Sequence, residues 1–458
     1  MPERRSTQDR PVGQVELSGW GRTRPARCDV LPAHAEEREA LRAAVRGVGP
    51  RGLVVRGAGR SYGDAAQNSG GTVIRLSGGA VHIDPAARCA RSCGDVSLRE
   101  VLRTARPHML SLPVLPGTQH VTVGGAIAAD VHGKNHLSAG SLGRHLTELV
   151  LLDGTGTVRT LRPTGPGAEQ FWATVGGMGL TGIVLEATLR LVPVASDRLR
   201  VRSSRAAGLS EVLVGLEDAA RRAPYAVAWL DLLPRSTNWG RGIISRGRYA
   251  TAGELPARPP ARHLPHHALP VPPLPVRIVT GTTARAFNAL WWGKPLPAAA
   301  TLQPVPQFFF PLDALRDWNR LYGPQGLVQY QFVVPTHQQD TLRQVCQLLS
   351  ACTPLLAVLK RFGDVAPGPL SFPRPGWCVA VDLPAGHPAV PAALDRADEL
   401  VAAAGGAVYL AKDGRLRPDL LSVMYPRLPQ WRSTQAQLDP HGRLQSDLAR
   451  RLGLARHA

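Results

Sequence analysis

The chain has no run of about 18 consecutive apolar residues, and its charged opening MPERRSTQDR is followed by no apolar stretch. A helix needs roughly 20 such residues to cross a bilayer, and a secretory signal needs an apolar core of roughly 7–15. Neither a transmembrane helix nor a signal peptide is expected. Cysteine is sparse: Cys28, Cys89, Cys93, Cys346, Cys352 and Cys378 form no CxxC pair and have no histidine at zinc-ligand spacing. That pattern fits a reduced compartment without a metal. Also missing are a recognition-helix pattern, an aromatic RNA-binding strand and a zinc finger, so nucleic acid is set aside. Acidic residues are few, with 34 Asp and Glu against 54 Lys and Arg, a net charge of +20. A field of that sign attracts polyanions. An anionic membrane surface, where each basic residue contributes about 1 kcal/mol, competes with a merely arginine-rich solvated exterior. The expected location is the cytoplasm, or the plasma membrane as a peripheral protein.

At 458 residues with 44% hydrophobic content, the chain exceeds what one core usually serves, so two domains are expected. Residues 34–195 alternate short helices and strands, with AHAEEREALRAAVRGVG helical, LVVRG extended and ELVLLDGTGTVRTL a hairpin turning at Asp153 and Gly154. Beyond Pro193 the strands AVAWLDLL and LVQYQFVVP alternate with helices. In HQQDTLRQVCQLLSA, Leu342, Val345, Cys346 and Leu349 share one face and read as core. Eight prolines between Pro256 and Pro275 exclude a helix or central strand and predict a mobile flap. His263, His266 and His267 within it have no acidic or thiol company and read as solvent-facing rather than as metal ligands.

What is present in abundance is glycine at turns. In VVRGAGRSYGDAAQN, Gly57, Gly59 and Gly63 follow a β-branched apolar run. Without Cβ atoms such a backbone can turn its N–H groups onto a phosphate; a tight structural turn uses the same residues. The spacing GxGxxxG, with no acidic residue ending a strand about 20 residues on, is not that of a dinucleotide-binding Rossmann unit. Two further small-residue segments, VTVGGAIAADVHGKNHLSAGSLG and FWATVGGMGLTGIV, the latter with Gly176, Gly177, Gly179 and Gly182, point to one large ligand with a flat ring.

These segments, with GWGRT, QYQFVVP, LKRFG, AKDGR and MYPR in this order along nearly the whole chain, resemble the FAD-dependent oxidases of the vanillyl-alcohol-oxidase type, and among them the decaprenylphosphoryl-β-D-ribose 2-oxidases. The resemblance implies an α+β fold with a PCMH-type FAD-binding domain over residues 1–195, a mixed-sheet substrate or cap domain over 196–412 and a tail, 413–458, returning to the FAD domain. It implies oxidation of the ribose C2 hydroxyl of a polyprenyl-phosphate sugar to a 2-keto sugar, the first half of epimerisation to the arabinose donor for cell-wall arabinan. A separate NADH-dependent short-chain reductase would finish the epimerisation. The rivals are an aldonolactone- or alditol-type oxidase acting on a soluble sugar and a non-catalytic, basic membrane-binding flavoprotein.

Some members of the family tether the flavin through a histidine in GxGHS; here GAGRS carries Arg60, which predicts noncovalent FAD. The expected cofactor contacts begin with Val55, Arg56, Gly57, Ala58, Gly59, Arg60, Ser61, Tyr62, Gly63, Asp64 and Ala65. A second turn is implied by Pro116, Gly117 and Thr118, then Thr122, Val123, Gly124 and Gly125, then Ala129, Asp130, Val131 and His132. Ser138, Gly140, Ile183 and Tyr409 complete the set.

Oxidising a secondary alcohol needs removal of the hydroxyl proton and stabilisation of developing negative charge. The resemblance gives that role to Lys412, with His132 and Gln331 beside it. Gln329 and Gln331 alternate on one strand and so share a face, placing both for sugar hydroxyls. Lys134 and Lys360 are candidates for the substrate phosphate, Trp229 and Phe362 for apolar walls. Ala380 stands where mycobacterial members carry a cysteine; Cys378, two residues earlier, shares its face. Catalysis is expected to survive that change, whereas thiol-directed inhibition is not.

Overall fold

The computed structural model describes residues 13–233, 239–256 and 268–455. His263, His266, His267 and most of the proline-rich stretch lie outside the described residues. Three main sheets organise the α+β fold. The first has the order Gly13–Leu17, Ala26–His34, Thr72–Ser77, Leu53–Val55, with the last three strands parallel. Helix Arg38–Arg46 buries Leu41 and Val45 against it, the i, i+4 pair that its amphipathic pattern requires. The second is a five-stranded antiparallel sheet, Val81–Asp84, Cys89–Cys93, Ile183–Arg190, Leu146–Leu152, Val158–Leu161. Its expected hairpin forms because Asp153 Oδ1 accepts from the N–H groups of Thr155 and Thr157.

The third sheet has eight strands in the order Thr301–Pro304, Arg198–Ala206, Gly242–Tyr249, Tyr225–Leu230, Leu356–Phe362, Gly376–Pro384, Leu327–Val334, Ala407–Val408. Its period of two sorts the side chains. One face is packed by helices Leu209–Arg222, Gln339–Ser350 and Val390–Ala403. Leu342, Val345, Cys346 and Leu349 are fully buried there, as the helical spacing predicts, each contributing about 1.5–3 kcal/mol by leaving water. Burial pushes the Cys346 thiol up to about 12, consistent with a core role. The other face, turned towards the first two sheets, carries Gln329, Gln331, Lys360, Ala380 and Trp229.

After the last strand the chain returns to the glycine-rich half. The Trp431 indole donates to Ala173 O at 2.9 Å, and Leu444 bridges Leu53 beside the first sheet. Arg451 holds the Asp64 carboxylate through two hydrogen bonds and Asp413 through a third.

Candidate active site

One cavity of about 1160 Å³ lies between the glycine-rich turns and the free face of the eight-stranded sheet. Strand Leu53–Val55 ends where the backbone enters the loop of residues 56–66, which forms one wall. Gly59 sits at φ +63°, and a Cβ on Gly57 would fall 2.3 Å from Thr122 Oγ1. These two glycines are therefore required by backbone conformation and by close approach respectively. Among the described residues, the backbone N–H groups of residues 57–61 find no acceptor in the protein. The Arg56 guanidinium donates to Ser18 O and Ala66 O, fastening the loop from behind. Arg60 lies over the Trp20 ring, 3.8 Å from its centroid.

The second turn lies opposite. Thr122 caps helix Val123–Ala128 by accepting from Gly125 N at 3.1 Å. Pro116, Gly117, Thr118, Thr122, Gly124, Gly125, Ala129, Val131, His132 and Tyr409 all line the cavity, with Val55, Arg56, Gly57, Ala58, Gly59, Arg60, Ser61, Tyr62 and Ala65.

Seven of the expected cofactor contacts do not. A Cβ on Gly63 would meet the Asp413 carbonyl at 1.7 Å, so this glycine serves a backbone crossing. Asp64 is the carboxylate clamped by Arg451. Val123 is fully buried on the inner side of its helix. Asp130 is turned inward, accepting from Ser141 Oγ and Gly143 N. Ser138 is exposed, with its hydroxyl on Asn135 O, and Gly140 packs on Arg144. Ile183 points into the core of the first sheet, and its neighbours Gly182 and Val184 face the cavity instead. Alternation along the strand explains that last exchange. Gly179, among the small residues of the third segment, also lines the cavity.

On the sheet side, Gln329 and Gln331 face the cavity together, with Lys134, Lys360, Trp229, Ala380 and Lys412. Phe362 does not line it. Its ring packs 4.8 Å from His132 and 4.3 Å from His136, so it supports the histidine from behind. His132 is enclosed by Phe362, Phe372 and Tyr409. Burial and the nearby Lys360 charge hold its pKa well below the ordinary value, so the ring is neutral. Gln331 Nε2 lies 2.7 Å from His132 Nε2 and 3.3 Å from Cys378 Sγ. Cys378 thus reaches the cavity only through Gln331, and burial raises its thiol to about 11.

Lys412 stands on the turn after strand Ala407–Val408, its Nζ 3.9 Å from the centre of the Tyr62 ring. Burial lowers its pKa to about 7, against an opposing pull from Asp382. Asp382 was not among the residues singled out from the sequence, although it shares the face of Cys378 and Ala380. It accepts from Gln329 Nε2 at 2.5 Å, and burial lifts its pKa to about 6. The same Gln329 amide donates to Tyr62 OH at 3.2 Å. Lys134, also lowered to about 7 by burial, donates to Phe308 O and lies over the Phe308 ring at 4.5 Å. The segment around Phe287, Trp291 and Phe308 completes the walls, and no sequence motif had marked it.

The residues present fit a flavin dinucleotide. Ser61 Oγ and Trp229 Nε1 are buried cavity-lining atoms without a protein partner, a state that polar atoms rarely keep without a ligand or water. The unpaired N–H groups of residues 57–61 suit a pyrophosphate.

Such a cradle, joined to a basic and amide-lined sheet face, defines a PCMH-type flavoprotein with a substrate chamber. A family model described as FAD binding domain matches residues 27–162. The decaprenylphosphoryl-beta-D-ribose oxidase of Mycolicibacterium smegmatis is 40% identical, covering 98% of this chain and 100% of that protein. An uncharacterized protein in the mprA 5' region of Streptomyces coelicolor is 41% identical over 78% of this chain and 100% of its own. The alditol oxidase of a Streptomyces species is 25% identical, with 88% and 90% covered. The chain belongs to the FAD-dependent decaprenylphosphoryl-β-D-ribose oxidase family.

Proposed function

We propose that this protein oxidises the ribose C2 hydroxyl of decaprenylphosphoryl-β-D-ribose to the ketone, the first half of an epimerisation that supplies the arabinose donor for cell-wall arabinan. The observation that carries this reading is the one cavity that joins a dinucleotide cradle to Lys134, Lys360, Lys412, Gln329 and Gln331. Neutral alditols or lactones would leave Lys134 and Lys360 without a charged partner, which favours a sugar phosphate. We divide the chain into an FAD half, residues 1–195 with 413–458, and a substrate half, residues 196–412.

Residues 57–61 would hold the pyrophosphate, with Ser61 adding a hydroxyl and Thr122, Gly124 and Gly125 closing the opposite side. Since Arg60 occupies the tethering position, the cofactor is held without a covalent bond. Bound FAD supplies the acceptor for the hydride leaving C2. Lys134 and Lys360 bind the phosphate, while Gln329 and Gln331 orient the ribose hydroxyls. Lys412 Nζ, neutral in part near pH 7, takes the hydroxyl proton and places its new charge beside the oxygen that loses it. His132, held neutral and fixed by Gln331, gives the ring its wall and excludes water.

A keto product must be reduced from the opposite face, which calls for a separate NADH-dependent short-chain reductase. A lipid-linked substrate places the protein peripherally at the membrane; among the described residues no helix is long and apolar enough to cross one. Anaerobic mixing of the yellow holoenzyme with polyprenylphosphoryl ribose tests the reading. Bleaching of the flavin absorbance is expected, with none on mixing with free alditols or lactones. Reduction by a free lactone alone would establish the soluble-sugar oxidase instead, and no reduction by either would leave only a binding protein.

A further inference from the structure

The mouth of the cavity is flanked by a surface that the fold leaves uncovered. Helix Gly281–Gly293 is anchored by Ala284 and by Asn288, whose amide donates to Asp231 Oδ1 at 2.8 Å. Away from that anchor it shows Phe287, Leu290 and Trp291, the i, i+3, i+4 set of one apolar face. Leu290 is 77% exposed, and the Phe287 and Trp291 rings stack with centroids 6.0 Å apart. Val276 at 65%, Leu269 at 67% and the half-exposed Ile278 add to the apolar surface on neighbouring segments. Scattered exposed apolar residues need no explanation, but a concentration of this kind beside a cavity marks an interaction site.

Charge chooses the partner. Residues 255–312 contain no Asp or Glu in 58 positions of sequence. The described basic residues among them, Arg277, Arg285 and Lys294, are exposed and interleave with the apolar ones. Lys294 Nζ lies 5.2 Å from the Trp291 ring, the pairing of an aromatic with a cation that suits a headgroup layer. Phe287, Trp291, Lys294 and Leu296 also line the cavity, so one helix presents aromatic side chains both to the cavity and to the exterior. An anionic bilayer requires apolar side chains among positive charges, the combination that this surface presents beside the cavity.

We infer that helix Gly281–Gly293, with residues 269 and 276–278, docks on the surface of an anionic lipid bilayer and aligns the cavity mouth with it. The polyprenyl tail then stays in the bilayer while its sugar phosphate enters between Trp291 and Lys294. This rests on the reading of the cavity as a site for a lipid-linked sugar.

The test uses full-length holoenzyme floated with phosphatidylglycerol-rich vesicles and with phosphatidylcholine vesicles. Binding to the former alone is expected. Leu290→Asp with Val276→Asp, or Arg277→Glu with Arg285→Glu, should each weaken it about tenfold or more, since each basic residue at a membrane surface is worth roughly 1 kcal/mol. None of these four residues lines the cavity, so FAD content and flavin reduction by a short-chain, water-soluble prenylphosphoryl ribose should be unchanged. Turnover of the long-chain substrate in vesicles should fall in parallel with binding. Vesicle binding that all variants retain, or no vesicle binding by the parent protein, overturns the inference. So does a concentration-dependent dimer that Leu290→Asp splits, which would assign the surface to a second copy, or vesicle binding that appears only after residues 257–267 are deleted, which would assign it to the chain's own segment. Failure of the water-soluble substrate to reduce the flavin would instead count against the reading of the site and leave the docking result to stand separately.

Discussion

Gln331 on the eight-stranded sheet and His132 on the glycine-rich half meet across the cavity, amide nitrogen to ring nitrogen at 2.7 Å. The contact joins residues 199 positions apart in sequence and ties the eight-stranded sheet to the glycine-rich half. Gln331→Leu should leave the buried His132 ring without that partner, a cost of about 1–3 kcal/mol. Flavin reduction should slow roughly ten- to hundredfold at that scale of energy, with the flavin spectrum retained. Stopped-flow reduction at saturating substrate measures it, and an unchanged rate would remove Gln331 from the machinery.

The pH profile follows from Lys412 and Asp382. If Nζ must be neutral to take the hydroxyl proton, the rate of flavin reduction should rise as pH passes about 7, the value to which burial lowers Lys412. Asp382 pulls that value upward, so Asp382→Asn should move the rising limb to lower pH. Lys412→Met should abolish the limb and cost about 100-fold or more, the usual contribution of a positioned acid or base. A limb unmoved by Asp382→Asn would show that the carboxylate does not act on the lysine.

Gly57 stands where a side chain has no room. A Cβ there would overlap Thr122 Oγ1 at 2.3 Å, so Gly57→Ala should cost about 1–3 kcal/mol of overpacking strain. Lowered FAD affinity and colourless fractions on purification are the expected signs, read by titrating apoprotein with FAD. Adding Thr122→Ala should recover part of the loss, because the two side chains compete for one volume.

The tail clamp is a stability element. Arg451 bonds Asp64 and Asp413, both nearly inaccessible to solvent. Arg451→Ala should leave two buried carboxylates uncompensated and cost about 3–5 kcal/mol. A lower Tm with a normal flavin spectrum at low temperature is expected in calorimetry. Asp64→Asn combined with Arg451→Ala should cost less than the sum of the two changes.

Local chemistry made much of this molecule legible from its residues. The helix carrying Leu342, Val345, Cys346 and Leu349 and the hairpin at Asp153 follow from periods and turn chemistry that operate within a few residues. Gly57 and Gly59, lacking side chains, marked a loop that does line the cavity. The shared face of Gln329 and Gln331 follows from the pleat alone. Several of the expected cofactor contacts that do not line the cavity fall where neighbours in sequence part company in space. Ile183 yields to Gly182 and Val184 because adjacent strand residues face opposite sides, and Gly63 and Asp64 belong to the returning tail rather than to the loop that precedes them.

By itself, then, the sequence determined the elements, the glycine-dense turn after Val55, the histidine-free GAGRS loop and the excess of positive charge, since each is set by short-range sterics or by simple sums of charge. Only the tertiary structure decided which glycines face the cavity, that Asp382 stands within the electrostatic reach of Lys412, that Cys378 is screened by Gln331, and that an acid-free helix contributes to the cavity lining. Those relations depend on strand register and on the packing of segments hundreds of residues apart, and such distances in space leave no period or spacing along the chain to read.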